Sequence, residues 1–263
     1  IRPNRLLVMD ASGDAIDLPG TETIEPTFGL PAMWVDPDNR EEATFKGYTV
    51  VDPATVITTH LTELIRDNMS ELLSYAETQN LLDELPNEHQ KLVGEVVPNQ
   101  ISVGGIQRVL QNLLNERVSI RDLPTILEGI SEACAFTRNV TQITEHVRSR
   151  LARQISEQNS TEDNFIPLVT LSAEWEQIFS DSILDQGEDK QLSMAPSQLQ
   201  RFIGAVRTTL DELANTEDPP VVLTSPSARP FVRSIIERFR PTTSIMSQNE
   251  LHPKAKIKTL GQI

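Results

Sequence analysis

The sequence predicts an α+β multidomain protein, with a small N-terminal α+β unit, a central all-α helical bundle and a C-terminal mixed-sheet α/β domain. Three observations carry this. The 263 residues exceed one compact domain and leave room for two or more cores. Short apolar runs broken by turns give way at Asp52 to apolar residues at helical spacing. Beyond residue 163 strand-like runs return, now alternating with helical stretches. Hydrophobic residues make up 38% and aromatics 5%, values that suit a subdivided, surface-rich, largely helical body better than one large barrel.

In order along the chain, Leu6-Leu7-Val8-Met9 reads as a strand ended by the turn at 10–13. Strands follow at 30–35, after Phe28-Gly29, and at 48–51, after Gly47, with a short helix in the polar stretch 36–46. Asp52 is an N-cap and Pro53 occupies the first helical position, where a missing N–H costs nothing. Val56, Ile57, His60, Leu61, Leu64 and Ile65 then recur at helical spacing. Further helices are expected at 71–84, 87–96, 105–116, 124–135 and 142–155, with Asp122 and Thr141 as caps and Pro86, Pro98 and Gly104-Gly105 as breaks. No repeat period is present, so these helices form a bundle and not a solenoid. The polar run 156–163 has no apolar anchor and marks a boundary. After it come a strand at 165–171, helices at 173–184 and 196–214, a mobile charged loop at 187–193, a strand at 221–223, a helix at 230–239, and strands at 244–246 and 257–260. The division expected from these breaks is 1–52, 53–71, 72–155 and 156–263.

The formal net charge of −15 repels phosphate backbones and anionic headgroups and so excludes nucleic acid as a partner. The basic stretch of Lys254, Lys256 and Lys258 is too short to reverse it. The single cysteine, Cys134, forbids an internal disulfide and fits a reducing compartment. No window reaches the roughly 18 apolar residues of a spanning helix, and no signal peptide is visible. The chain is expected to be soluble with no membrane contact of its own. It opens at Ile1 with no initiator Met, as a fragment or processed form would.

No motif carries catalysis. Gly104-Gly105 lacks the Lys-Ser/Thr of a P-loop and the GxGxxG spacing, and reads as a turn that starts a helix. The histidines His60, His89, His146 and His252 are scattered; His60 and Glu63 share a helix face, but two ligands do not make a metal site. There is no GxSxG, and Cys134 lies between Ala133 and Ala135 on a core-facing helix, as a structural thiol does. The carboxylates sit in solvated runs such as Glu41-Glu42 and Glu217-Asp218. No cofactor and no catalytic or metal site is expected; an enzyme using a pocket of the C-terminal domain is the competing class. Two segments exceed what local packing needs: the turn around Thr58-Thr59-His60, and residues 25–35, where two prolines stiffen a stretch holding Phe28 and Trp34. Both rings could be the core of the small unit, or one of them could be displayed.

Phe28-Gly29-Leu30-Pro31-Ala32-Met33-Trp34-Val35 resembles the FGLPAxWI segment of the FHIPEP family, the export-gate proteins of bacterial flagella and injectisomes. Val56-Ile57-Thr58-Thr59-His60-Leu61 is similar to that family's VVxTHL, and Ser119-Ile120-Arg121-Asp122-Leu123-Pro124-Thr125-Ile126-Leu127-Glu128 to its PIRDMRTILE. The stretches 92–98 and 109–116, and Val147-Arg148 through Leu151, match further motifs in order; the likeness is dense over about 25–155. The resemblance implies a membrane-embedded half absent from this sequence, and a cytoplasmic region of four subdomains at the inner membrane that assembles as a homo-nonameric ring. Residues up to about 52 would be mostly the second subdomain, 53–71 a helix returning to a truncated first one, and 72 onward the third and fourth.

The resemblance further implies docking of flagellar export chaperones with their late substrates, alongside other export-apparatus components, in a hydrophobic dimple. Carried over position by position, the family's pattern falls on Glu25, Phe28 and Thr59. Phe28 would be the exposed anchor, Thr59 the small residue that leaves room, and Glu25 a rim carboxylate. Retention of all three favours a flagellar protein over an injectisome one. Asp122, preceded by Arg121, reads as a helix cap and not as a site.

Overall fold

Alternation with a period of two decides the first sheet. In the computed structural model the chain divides into two units, Ile1–Leu72 and Leu73–Ile263, and residues 1–10, 15–187, 189–213 and 218–263 are described. The expected turn at 10–13 beyond Asp10, the end of the 196–214 helix and Glu217 lie outside them.

In the first unit β1 (Leu6–Met9), β2 (Gly20–Ile24), β3 (Pro31–Val35) and β4 (Thr49–Val51) form an antiparallel sheet in the order β2-β3-β1-β4. Its two faces bury different sets. Leu6, Val8, Met33 and Val35 pack with Ala43 of α1 (Arg40–Phe45). Leu7, Ala32 and Trp34 point the other way and pack with Val56 of α2 (Pro53–Asp67). Strand β2 was not foreseen: its Gly-Thr-Glu-Thr-Ile is largely polar and exposed, as an edge strand can be. Gly20 is required there, since a Cβ would come within 2.6 Å of Met33 Cγ and of the Trp34 carbonyl. Asp52 caps α2 as expected, accepting from the Thr55 N–H at 2.9 Å, with Pro53 in the first turn. The helix turns Ile57, Leu61, Leu64 and Ile65 outward, an apolar stripe left exposed. A short α3 (Met69–Leu72) closes the unit.

The second unit opens with helices α4 (Tyr75–Asp83), α5 (Asn87–Val96), α6 (Val103–Asn115), α7 (Leu123–Cys134), α8 (Val140–Arg150) and α9 (Ala152–Gln158). The helix expected at 71–84 is broken because Ser74, in extended backbone, caps α4 by accepting from the Glu77 N–H. The helix expected at 142–155 breaks at Leu151, and its cap is Asn139, not Thr141, which lies inside α8. Asp122 caps α7 as expected. Gly105 sits in the first turn of α6, where a Cβ would strike the Ile101 side chain at 2.4 Å. Ile106, Leu110, Leu113, Ile126, Ile130 and Val147 form the bundle's buried interior. Cys134 is buried, and burial pushes its thiol pKa up, only partly offset by Arg138.

Beyond the bundle, β5 (Phe165–Thr170), β8 (Val221–Thr224), β9 (Ile245–Ser247) and β10 (Lys256–Gln262) pair in the order β10-β5-β8-β9. Every pairing is parallel, which corrects the expected mixed sheet. Helices α10 (Ala173–Ser182), α11 (Pro196–Glu212) and α12 (Arg229–Ile236) lie in the connections, long enough to carry the chain back to the same end of the sheet. A short connection at Gly187 (φ +72°) joins β6 (Ile183–Gln186) to β7 (Asp189–Leu192) as a separate antiparallel hairpin. That hairpin occupies most of the expected loop 187–193, and it takes Ile183 and Leu184 from the expected 173–184 helix. Trp175, Phe179 and Phe202 pack edge-to-face, with centroids 5.2 and 4.9 Å apart, against Val169, Val222 and Ile245 of the sheet.

The helices and the parallel sheet share a buried ionic cluster. Arg148 of α8 donates through Nε and Nη2 to Glu250 at 3.0 and 2.8 Å. Arg229 of α12 donates to Glu145 at 2.6 Å and to the Ile245 carbonyl at 3.1 Å, and pairs with Glu116 and Glu250. Ser156, expected in a polar linker, is buried in α9, where its hydroxyl donates to the Glu250 carbonyl and accepts from the His252 N–H. Burial would raise the pKa of Glu116, but Arg229, Arg148 and Arg233 hold it below the usual range. Glu145 goes the other way. Burial pushes it up to about 7 against the pull of Arg229 and Arg148, with Glu250 and Glu116 adding to the rise. A carboxyl whose folded pKa exceeds its ordinary 4.5 contributes stability that is full below that value and is lost as pH rises through about 7. Glu145→Gln should therefore flatten the fall in urea midpoint between pH 5 and pH 8, and at pH 8 should match or exceed the parent. An unchanged slope in the variant would exclude Glu145 as its source.

Candidate partner-docking site

The link between β2 and β3 is a turn tied from within. The Gly29 N–H donates to the Glu25 carbonyl at 3.0 Å, and the Glu25 N–H to the Leu30 carbonyl at 2.9 Å. The Glu25 carboxylate folds beneath the turn and accepts from the N–H groups of Thr27 and Phe28 at 2.9 and 2.6 Å. Gly29 sits at φ +70°, where a side chain would be strained, and Pro26 and Pro31 stiffen either side. The ring of Phe28 is thereby carried on a backbone that is fixed at both ends and is 67% exposed. Trp34, the other large ring of the segment, is 6% exposed and belongs to the core. The open alternative is thus decided residue by residue: one ring is core and the other is displayed.

Glu25 is 4% exposed, which corrects its expected place on a rim. It acts from below, by holding the loop that holds Phe28. Burial would raise its pKa, but the Phe28 N–H and the donors of Thr27, helped by the charge of His60, bring it below the ordinary value. Thr59 lies on α2 and is half-buried. Residues 25, 28 and 59 belong to one unit, two on the turn between β2 and β3 and the third on α2. Glu25→Ala removes two charge-assisted acceptor contacts and should cost about 1–2 kcal/mol. Amide exchange at Thr27 and Phe28 should quicken in that variant well beyond the rest of the sheet. If it does not, Glu25 is not what fixes the turn.

Two features here were not foreseen. Ile24 is exposed at the end of edge strand β2, next to the turn. The outward stripe on α2 was visible as helical spacing, but its exposure was not. Scattered single apolar residues need no explanation, whereas a display of this density on a small unit exceeds that pattern. Among the described residues no group of three or more His, Cys, Asp or Glu could hold a metal ion. No described helix is long and apolar enough to cross a membrane.

Residues 1–256 match the FHIPEP family. The chain is 55% identical over 263 residues to the flagellar biosynthesis protein FlhA of Caulobacter vibrioides, covering all of this chain and 38% of that protein. It is 37% identical over 244 residues to FlhA of Bacillus subtilis, covering 93% of this chain and 36% of that protein. The structure of the Chlamydia pneumoniae CdsV protein superposes with a TM-score of 0.85 at 28% identity, covering 100% of this chain and 76% of that one. The chain spans less than two-fifths of the length of these two curated relatives. With a match across nearly its whole length and extensive identity to flagellar members, the chain belongs to the FHIPEP family.

Proposed function

We propose that this chain is the docking region of a flagellar type III export gate, where it binds export chaperones carrying late substrates and performs no chemistry of its own. The observation that carries the proposal is Phe28, a large apolar side chain displayed on a turn fastened by a buried, ionised Glu25. Such an anchor enters a partner's pocket without a loop having to be ordered first. Thr59 on α2 is the third member of the proposed surface. The extensive identity to flagellar relatives favours flagellar chaperones over those of an injectisome. In this reading the parent protein lies in the bacterial inner membrane with this region on its cytoplasmic face. The region forms a homo-nonameric ring, and it divides into subdomains 1–52, 53–71, 72–155 and 156–263. The outward stripe of α2 then belongs to the first subdomain.

Calorimetric titration of the chain with flagellar chaperones, each with and without its late substrate, tests the proposal. Saturable binding that prefers the loaded chaperone supports it. Binding to an injectisome chaperone of equal strength would reassign the chain to that system, and no binding to either would remove the docking role.

A further inference from the structure

We propose that the free edge of β10 is a docking site for an acidic segment of a partner protein, which adds to the parallel sheet as a further extended strand. In the order β10-β5-β8-β9 the sheet ends on β9 at one side and on β10 at the other. The two edges are unlike. β9 has three residues, all buried. β10 has seven, the most of any described strand, and its residues 256–259 are all exposed. Among the described strands only β5 pairs with it, so along that stretch alternate backbone N–H and C=O groups face outward with no strand beside them. After Thr259 the pairing with β5 shifts register, and Leu260 and Gly261 turn half-buried, which ends the free stretch.

Charge decides what such an edge would take. Lys254, Lys256 and Lys258 are three of the chain's six lysines, gathered within five residues of a chain whose net charge is −15. Lys46 and Lys91 have carboxylate partners at 3.0 and 3.9 Å. Among the described residues no ion pair reaches Lys254, Lys256 or Lys258, and all three are exposed. By the period of two, Lys256 and Lys258 share one face of the strand, where Lys258 Nζ lies 4.9 Å from the centroid of the Phe165 ring. Ile257 stands on the other face, 55% exposed. An incoming strand with carboxylates two residues apart would meet both lysines, and an apolar residue between them would lie beside Ile257. Lysine on an edge ordinarily keeps copies of a protein from pairing there. It does so by repulsion, since a second β10 set antiparallel about Ile257 would bring lysine opposite lysine. The same charges attract a strand of the opposite sign. A stretch too short to hold a phosphate backbone is long enough to align one short peptide.

A capped peptide alternating glutamate and valine is the probe, titrated into the 263-residue chain and followed by calorimetry and amide chemical shifts. The chain as a whole repels such a peptide, so saturable binding should come from this edge and should weaken with added salt. The shifts should centre on residues 254–260, and amide exchange there should slow. Lys256→Glu combined with Lys258→Glu alters two exposed side chains. It should weaken the glutamate peptide about tenfold or more and give binding to a lysine–valine peptide instead. That exchange of preference supports the site. Equal binding of a glutamate peptide with a central proline, which lacks a ladder N–H, would leave charge attraction alone and overturn strand addition. Concentration-dependent shifts at 254–260 with no peptide present would make a second copy the occupant and overturn the acidic partner. Shifts centred elsewhere, or no saturable binding up to about 1 mM, would overturn the site, leaving the lysines only to hold copies apart. The shift map uses the unaltered chain, so it decides the matter even if the double variant fails to fold.

Discussion

Arg229→Met should lower the stability of the second unit by about 3–5 kcal/mol, the usual cost of removing one member of a buried ion cluster. Arg229 is 1% exposed and reaches the Glu116, Glu145 and Glu250 carboxyl groups and the Ile245 carbonyl at once. Methionine fills much of the same volume, so the change is mainly electrostatic. It leaves Glu116 and Glu250 with Arg148 as their chief remaining buried cation, and it frees a carbonyl of β9. The groups come from the end of α6, from α8, from α12 and from the turn before β10, so the loss falls where the bundle meets the sheet. In a unit of this size, about 2–4 °C of melting temperature accompanies each kcal/mol, giving a drop on the order of 10 °C. A urea midpoint shifted at constant slope would report pure destabilisation, whereas a second transition would mean that bundle and sheet had come apart. A loss below about 1 kcal/mol would show that the cluster is not needed for stability and that its residues tolerate replacement by apolar ones.

Phe28→Ala is the change with the largest expected effect on the proposed docking, a loss of about 2 kcal/mol or more in chaperone binding. The melting temperature should scarcely move, because the ring packs in neither of the unit's two apolar clusters. That separation between binding and folding is the informative part. Trp34→Ala makes the control: the same segment, but a buried ring whose removal should cost about 3–5 kcal/mol of stability. Should Phe28→Ala destabilise the chain while leaving its affinity intact, the ring is structural and the docking surface lies elsewhere.

How much of this was legible in the sequence depended on whether the deciding force was local. Asp52-Pro53 and the helix Asn87–Val96 were readable because a cap, a proline and an apolar period act over a few residues. Strand β2 was not, since Thr-Glu-Thr becomes a strand only by pairing with β3, and neither face of it needs to be apolar. The direction of the C-terminal strands was hidden for a similar reason, because period reports burial and says nothing of which way a strand runs. Ile183 and Leu184 continued the apolar spacing of α10, and the hairpin that claimed them depends on pairing with β7. At the proposed site, the motif pointed to Phe28, Glu25 and Thr59, but the inward turn of the Glu25 carboxylate follows from two backbone N–H groups whose direction no residue type announces. Arg148 and Glu116 were visible only as members of family-like motifs. Their meeting with Glu250 and Arg229 spans about a hundred residues of sequence and was beyond any local pattern.

The small sheet buries one set of side chains against α1 and the other against α2. Phe28 belongs to neither set, and its own N–H is fastened to Glu25. A surface anchor that can retract spends part of its time closed, and its apparent affinity falls by that fraction. Here the ring stands in its open form, on a turn tied by hydrogen bonds from within. Partner and anchor would meet at the pace of diffusion and orientation, with no slow opening step before contact. The cost of that readiness is a permanently wet phenyl ring, which the charge of an acidic protein helps to keep from sticking to copies of itself.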